Sequence, residues 1–405
     1  MGKAKRILCG LLAVVTVICM TACGSGNNSN SGNNSNNSDN SSRTESSASK
    51  EDSKGGVIRI AVAASMTGEN AEYGKQMQAA AEIMADKWNR DGGVLGRQIE
   101  IVPYDDKNSG DESATIAQKI VEDKDILGVL GHYSSNLCLI AGPIYQENQM
   151  IEITTSASHP DITGIGDFIF RNNSIISVES NYMLQIAIED FGCKKIGIVS
   201  IKTDWGTTTS GMIKDIFAEN YADSGAEIVA HEEIITGSDD FSPIVTKMEE
   251  AGADVIICVG EYGLSGPLAK QYRQVNPDIK LVAPSSAFSQ QLLNLAGDSA
   301  NGLRFPISFF AGSQDPKITE FVDEFDQKYG GLPNSFAAQT YDATGMLLEA
   351  VSAAGTTDHK AVRDALAGLE YPGVTGDTSF DDRGDATKAY TKVEIRDGEF
   401  VEVGK

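Results

Sequence analysis

The chain has 405 residues and carries 57 acidic against 33 basic residues, a formal net charge of −24. This excess of negative charge argues against a surface built for phosphate backbones, so we expect no nucleic-acid partner. About 350 residues follow the polar N-terminal region, more than one hydrophobic core usually supports, so two lobes are expected.

The first 22 residues have the pattern of a bacterial secretory signal. Basic residues up to Arg6 precede about 14 uncharged, mostly apolar residues, too few to span a bilayer as a mature helix. Small residues then lead into Cys23, the pattern of a lipobox, in which Met20 stands where leucine is usual. We therefore predict a lipoprotein signal peptide over residues 1–22 and a lipid on Cys23. An ordinary signal peptide with an incidental cysteine is the alternative.

The next segment, residues 23–55, consists mainly of Ser, Asn and Gly. It has too little apolar surface to offset the entropy of ordering, so we predict a disordered linker. The anchor and linker together predict a folded part held outside the cytoplasm at the bacterial cell membrane.

Three cysteines follow Cys23 in the chain, namely Cys138, Cys193 and Cys258. Their odd number and wide spacing do not form a disulfide framework. Cys193 and Cys258 lie in or beside apolar strand patterns, so we predict buried thiols.

From residue 57 onward, strand patterns alternate with helix patterns. The first series predicts strands at 57–62, 98–102, 126–130 and 150–153, and helices at 73–89, 113–122 and 135–147. The second series predicts strands at 195–200, 227–234, 254–259 and 280–282, and helices at 207–221, 241–251 and 264–275. An extended segment at 303–310, helices at 315–329, 335–352 and 360–369, and a closing strand hairpin at 389–403 follow. Two such series predict an α/β protein with two doubly wound parallel-sheet lobes, each sheet covered by helices on both faces.

Sequence motifs of common enzyme sites are absent. The chain has no G-x-x-x-x-G-K-[ST] phosphate loop, no G-x-G-x-x-G after a strand and no G-x-S-x-G elbow. Its four histidines do not pair at metal-ligand spacing. We therefore expect no catalytic residue, no metal and no cofactor.

Polar and aromatic residues follow the predicted strands at their carboxyl ends, where open α/β sheets bind ligands. These candidates are Ser135, Ser156, Ser158, Asp204, Trp205, Glu261, Tyr262 and Ser285. Hydroxyls beside the free N–H groups of helix starts suit a carboxylate. Taken one by one, Ser135 could instead be a helix cap, Ser156 and Ser158 an ordinary polar loop, and Trp205 and Tyr262 surface packing.

Several short motifs occur in an order and spacing that is informative when they are taken together. They are Ala71-Glu72-Tyr73-Gly74, Asp91-Gly92-Gly93-Val94-Leu95-Gly96, Tyr104-Asp105-Asp106, Gly131-His132 followed by serines, and the turn at 381–385. With them the chain resembles the type I periplasmic binding proteins of the branched-chain amino acid (leucine/isoleucine/valine) transport class. The resemblance covers nearly all of the chain after the linker and implies two lobes joined by three crossovers, which enclose a ligand by hinge closure. It implies a first lobe at 56–172 plus about 307–375 and a second lobe at 173–306 plus about 376–405.

The same resemblance implies roles for residues of the first lobe. Ser135, Ser156 and Ser158 fall where the family holds the carboxylate and part of the ammonium of an amino acid. Tyr73 falls on a residue that lines the side-chain pocket.

The second lobe matches the family in its aromatic residues, Trp205 and Tyr262, but departs from it in its acid. Where the amino-acid binders place a carboxylate for the ligand's ammonium, this chain has Ser285 followed by another serine. A buried ammonium without an anion would cost several kcal/mol. Either Glu261, the first choice, or Asp204 replaces the missing acid, or the ligand is not an α-amino acid.

The resemblance implies a monomeric solute-binding lipoprotein of an ABC importer and no enzyme. It would capture an amino acid, branched-chain or similar, and deliver it to permease and ATPase subunits in the membrane. An amide or short carboxylate as ligand stays open, as does a role as the ligand-binding component of a sensory system. A receptor ectodomain of this fold would need a second membrane segment, and we expect none.

Overall fold

The computed structural model describes residues 56–403. The predicted signal peptide, Cys23 and the predicted linker lie outside the described residues. In chain order the strands are β1 (Ile58–Ala64), β2 (Ile99–Asp105), β3 (Ile126–Gly131), β4 (Ile151–Thr154), β5 (Ile169–Arg171), β6 (Lys195–Ile201), β7 (Glu227–Ile234), β8 (Val255–Val259), β9 (Lys280–Val282), β10 (Leu303–Ile307), β11 (Tyr371–Gly373), β12 (Gly376–Thr378), β13 (Thr391–Arg396) and β14 (Glu399–Glu402).

The α-helices occur between and after these strands. They are α1 (Ala71–Arg90), α2 (Gly110–Glu122), α3 (Ser135–Glu147), α4 (Ile176–Gln185), α5 (Asp204–Asn220), α6 (Ser242–Glu250), α7 (Tyr262–Val275), α8 (Gln290–Ala296), α9 (Pro316–Tyr329), α10 (Ser335–Ala354) and α11 (His359–Ala367). None of the helices within residues 56–403 combines the length and apolarity that a bilayer crossing requires.

The first lobe is built on a five-stranded sheet in the order β2-β1-β3-β4-β5, all parallel. Helices α1 and α10 pack on this sheet, and α9 packs on α1; α9 and α10 come from much later in the chain. Strand β3 is apolar and buried along its whole length, and β1 is so except at Arg59, as expected for parallel strands covered on both faces.

The second lobe is built on a seven-stranded sheet in the order β14-β13-β10-β9-β8-β6-β7. The five strands from β6 to β10 run parallel, and the hairpin of β13 and β14 adds antiparallel to β10. The chain therefore passes between the lobes three times: after β5, after β10 and before β13. The predicted fold class is confirmed, whereas the lobe boundaries near residues 307 and 375 stay a proposal.

The glycine turn after α1 has a steric cause. Gly93 has a φ of +78°, and a Cβ atom at this position would lie 1.9 Å from the Arg97 carbonyl oxygen. Only glycine fits such an approach of two backbone segments, so this turn fixes how the chain leaves α1 and enters β2.

Predicted and observed elements differ mainly at their ends and in the shortest pieces. Helix α5 begins three residues earlier than predicted, because the Thr203 hydroxyl accepts a hydrogen bond from Gly206 N (3.1 Å) and caps it. Asp204 and Trp205 therefore lie in its first turn. Strand β5, helix α8 and the small β11–β12 hairpin were not predicted. The closing hairpin was predicted and is confirmed, as are the buried thiols of Cys193 and Cys258; Cys138 is buried as well.

Candidate functional site

A cavity of about 700 Å³ lies between the two lobes, at the carboxyl ends of the parallel strands. Its first-lobe wall follows β3 and β4, and its second-lobe wall follows β6, β7, β8 and β9. Seven of the residues predicted for a ligand site line it: Ser135, Ser156, Ser158, Trp205, Glu261, Tyr262 and Ser285.

The three serines of the first lobe are held close together by hydrogen bonds. The Ser135 Oγ atom, at the start of α3, accepts from the backbone N–H groups of Ser158 (3.2 Å) and His159 (3.4 Å). The Ser156 hydroxyl donates to the Tyr133 carbonyl oxygen at 2.7 Å. Among the described residues, the Ser135 and Ser158 hydroxyls have no protein acceptor, so both can donate to a ligand oxygen.

Aromatic rings form the apolar part of the cavity wall. Tyr133, Tyr262, Phe336 and Trp205 line it, but Tyr73 does not. The Tyr73 ring lies fully buried behind Tyr133, stacked at 4.4 Å between centroids, and 5.1 Å from the Tyr262 ring. The resemblance implied a pocket-lining Tyr73; in the structure this ring supports the ring that lines the cavity.

The two acids predicted as replacements for the family's carboxylate lie in different places. Glu261 lines the cavity, half-buried, and burial raises the pKa of its carboxyl group. Asp204 is exposed in the first turn of α5 and is not among the residues that line the cavity. Of these two, only Glu261 faces the cavity.

A further acid, Glu179 of α4, lines the cavity and was not predicted. Its side chain is 5% exposed, and its Oε1 atom accepts from the Ser285 N–H at 2.6 Å. Burial raises the pKa of this carboxyl group. A carboxylate therefore lies directly beside Ser285, where the sequence has serine in place of the family's acid.

Tyr133, Asn173 and Phe336 are among the other lining residues that were not predicted. Asn173 lies after β5, where the chain first passes between the lobes. Its Nδ2 atom donates to the Ser156 carbonyl oxygen at 2.7 Å and so connects this segment to the loop after β4. Tyr133 follows β3, so its position at a strand end was a usable signal. Phe336 and Asn173 follow no predicted strand of the two series, so the sequence gives no comparable signal for them.

Hydrogen bonds join the two lobes around the cavity. The Trp205 indole N–H donates to the Ser158 Oγ atom at 3.1 Å, and the Tyr262 hydroxyl donates to the Glu69 carbonyl oxygen at 2.5 Å. The Tyr73 hydroxyl also donates to the carbonyl oxygen of Ser286 in the opposite lobe. The two lobes are thus in direct contact around the cavity, in a closed arrangement.

Two parallel-sheet lobes, crossed three times by the chain and closed over a cavity of hydroxyls, acids and aromatic rings, define a two-lobed solute-binding protein. The chain belongs to the periplasmic binding protein family, whose model matches residues 57–399. Several curated relatives carry leucine, isoleucine and valine in their names, which fits the type I class of branched-chain amino acid binders. Members of the family are extracytoplasmic solute-binding proteins, not enzymes.

Individual relatives agree with this family. The leucine-, isoleucine-, valine-, threonine- and alanine-binding protein of Pseudomonas aeruginosa is 28% identical over 331 residues, 81% of this chain and 87% of the relative. The solved structure of the branched-chain amino acid transporter substrate-binding protein LivJ of Streptococcus pneumoniae, in complex with isoleucine, is 26% identical with a TM-score of 0.79 and covers 86% of this chain and 100% of its own. The leucine-binding protein LivK of Thermotoga maritima shares the fold at 24% identity, with a TM-score of 0.78 over 86% of this chain and 98% of its own.

Proposed function

We propose that this protein is the monomeric solute-binding lipoprotein of an ABC importer, which captures an amino acid or a close relative by hinge closure and delivers it to a membrane permease. In this proposal residues 1–22 are the signal peptide, Cys23 carries the lipid and the linker gives the lobes reach to the transporter. One observation carries the proposal: the cavity has hydroxyl donors on one wall and carboxylates on the other.

The donor wall fits a carboxylate. The Ser135 and Ser158 hydroxyls are free to donate, and Ser135 begins α3, whose first N–H groups carry partial positive charge. These groups provide hydrogen bonds and a favourable potential for an anion without a buried cation. The Ser156 hydroxyl already donates to the Tyr133 carbonyl oxygen, so Ser156 would contribute by fixing the conformation of the loop after β4.

The opposite wall fits an ammonium. Glu179 and Glu261 line the cavity from the second lobe, and Glu179 lies beside Ser285. An ammonium has three N–H donors and no acceptor, so it matches a carboxylate that has spare acceptor sites. The departure from the family pattern at Ser285 is thereby compensated from α4 and does not exclude an α-amino acid.

Binding assays on the full chain, purified in detergent, test this function. Calorimetric titration against the standard amino acids is expected to give at least one ligand. For that ligand, Ser158→Ala should weaken binding about tenfold, the loss of one hydrogen bond to a charged group. Ser177→Ala in α4, which does not line the cavity, is the matched control and should bind as the parent does.

The primary amide of the same ligand separates a direct role from an indirect one. Ser158→Ala also removes the acceptor for the Trp205 indole, a loss that affects the acid and the amide equally. If Ser158 holds a carboxylate, the acid loses more affinity than the amide. Equal losses, or no loss, would contradict the proposed carboxylate site.

A further inference from the structure

All charged side chains that line the cavity, among the described residues, are acidic. They are Glu69, Glu179, Asp239 and Glu261, and no lysine, arginine or histidine lines it. None of these four takes part in an ion pair within residues 56–403. Glu69 and Asp239 are exposed at the cavity, whereas Glu179 and Glu261 lie deeper.

The two deeper acids belong to separate parts of the wall. Glu179 lies on α4 and contacts the backbone of Ser285. Glu261 is the residue before α7, and its carboxylate makes no capping hydrogen bond to that helix. Burial raises the pKa of both groups, which means that each carboxylate lacks the solvation or the cation that would stabilise its charge.

Independent evidence for a missing hydrogen-bond partner comes from Ser286. Its side chain is 7% exposed and lines the cavity, and its Oγ atom has no hydrogen-bond partner among the described residues. A buried hydroxyl of this kind normally has a partner in the bound state. Ser286 follows Ser285, so its free oxygen and the Glu179 carboxylate belong to the same end of the cavity.

A solute with a single ammonium cannot balance the charge of both Glu179 and Glu261. The one ammonium of a leucine-like solute would pair with Glu179 or with Glu261, and the other carboxylate would stay in the closed cavity without a cation. Without a cation this acid must either stay charged, which burial disfavours, or take up a proton. A second positive group lets it stay ionised, so the wall favours solutes that supply such a group.

We propose that the solute is dicationic, with one ammonium at Glu179 and Ser286 and a second at Glu261 beside the Tyr262 ring. This inference rests on the proposed function and narrows its ligand class. The face of Tyr262 attracts a cation, and Ile201 and Leu264 offer apolar wall to a methylene chain between the two charges.

Two sources share this chemistry. A dibasic α-amino acid such as lysine would also use the carboxylate site at Ser135 and Ser158, whereas a linear diamine would leave that site unfilled. The shared feature is a pair of ammonium groups separated by an aliphatic chain.

Calorimetry with the full chain in detergent tests the proposal with four probes: L-lysine, L-norleucine, cadaverine and L-leucine. Norleucine matches lysine in chain length and lacks only the second ammonium, and cadaverine lacks only the carboxylate. Lysine or cadaverine is expected to bind at least about tenfold more tightly than norleucine, as one buried charge pair provides. If lysine binds more tightly than cadaverine, the solute is a dibasic amino acid. If cadaverine binds more tightly than lysine, the solute is a diamine.

Substitutions test whether Glu179 and Glu261 cause the preference for lysine over norleucine. Glu261→Gln should lower the ratio of lysine affinity to norleucine affinity about tenfold, and Glu179→Gln provides a second variant with the same expectation. Asp215→Asn, which removes an exposed carboxylate of α5 that does not line the cavity, should leave the ratio within about twofold.

The outcomes separate this inference from the proposed function. If leucine or norleucine binds as tightly as lysine and cadaverine, the dicationic ligand is wrong and amino-acid capture stands. If none of the four probes and no other amino acid binds, both fail. An unchanged affinity ratio in both glutamine variants would also overturn the inference.

Discussion

Glu152, on β4 at the centre of the first lobe, is a buried acid that the candidate site does not use. Its side chain is 0% exposed, and neither carboxylate oxygen has a hydrogen-bond partner among the described residues. Burial raises the pKa of this group to about 8, so the protein holds it as a neutral acid at neutral pH.

This residue makes stability depend on pH. Between the unfolded pKa of about 4.3 and the folded value, the native state binds the extra proton, so stability falls as the pH rises. One such group contributes a slope of up to about 1.4 kcal/mol per pH unit. The free energy of unfolding, measured with urea at pH 5, 6 and 7, should fall with pH in the parent and lack this slope in a Glu152→Gln variant. Exposed Glu147→Gln, the control, should keep the parent's slope, and equal slopes in all three proteins would contradict the assignment.

At the level of single residues, the sequence predicted the cavity residues that follow strands. It missed cavity residues that lie on helices. Ser135, Trp205 and Glu261 follow strands, and the parallel sheets bring those ends together. Glu179 belongs to a helix, so its place beside Ser285 depends on how the chain packs after passing between the lobes. Such packing leaves no periodic signal in the sequence.

Helix α10 and the β11–β12 hairpin are joined by a buried polar network. The Asp342 carboxylate accepts from the N–H groups of Val374 and Thr375, each at 2.9 Å, and from the Thr375 hydroxyl at 2.5 Å. The Lys388 Nζ atom donates to the same Thr375 Oγ1 atom at 2.9 Å and to Thr378. Burial lowers the pKa of Lys388 to about 8, partly offset by the charge of Asp342.

Removal of either end of this network should destabilise the fold. Lys388→Met leaves the buried Asp342 carboxylate without its nearby cation and should lower the free energy of unfolding by about 2 kcal/mol or more. In an Asp342→Asn background the same substitution should cost at least about 1 kcal/mol less, because the two groups act as one unit. Urea unfolding of the four proteins measures the coupling, with exposed Lys270→Met as the control. Strictly additive effects would mean that the two residues do not interact.

Strands and helices were predictable from the sequence where their apolar pattern extends over enough residues. The alternation of apolar strands and amphipathic helices predicted both sheets, because covered parallel strands must be apolar on both faces. Strand β5 and the β11–β12 hairpin have three residues per strand, too few for a period to appear. Their formation depends on tertiary contacts, such as those of Asp342 with the hairpin.

For the whole molecule, ligand affinity depends on contacts between the lobes as well as on contacts with the ligand. The Ser289 hydroxyl at the start of α8 donates to the Glu72 carboxylate of α1, at 2.8 and 2.9 Å to its two oxygens. Neither residue lines the cavity. Because this bond joins the two lobes, we expect it to favour the closed form and to raise affinity without touching the solute.

Loss of this contact should weaken binding by a population shift alone. Glu72→Ala is expected to lower the affinity for the best ligand about tenfold, the effect of one charge-assisted hydrogen bond. Ser289→Ala should lower it at least as much, because the Ser289 Oγ atom also caps α8 by accepting from the Gln291 N–H at 2.9 Å. The double variant should be no weaker than Ser289→Ala alone, because both substitutions remove the same bond between the lobes. Small-angle scattering should show a larger radius of gyration without ligand and the parent's radius at saturation. Exposed Lys75→Ala in α1 is the control, and affinities equal to that control's would mean that the contact does not govern closure.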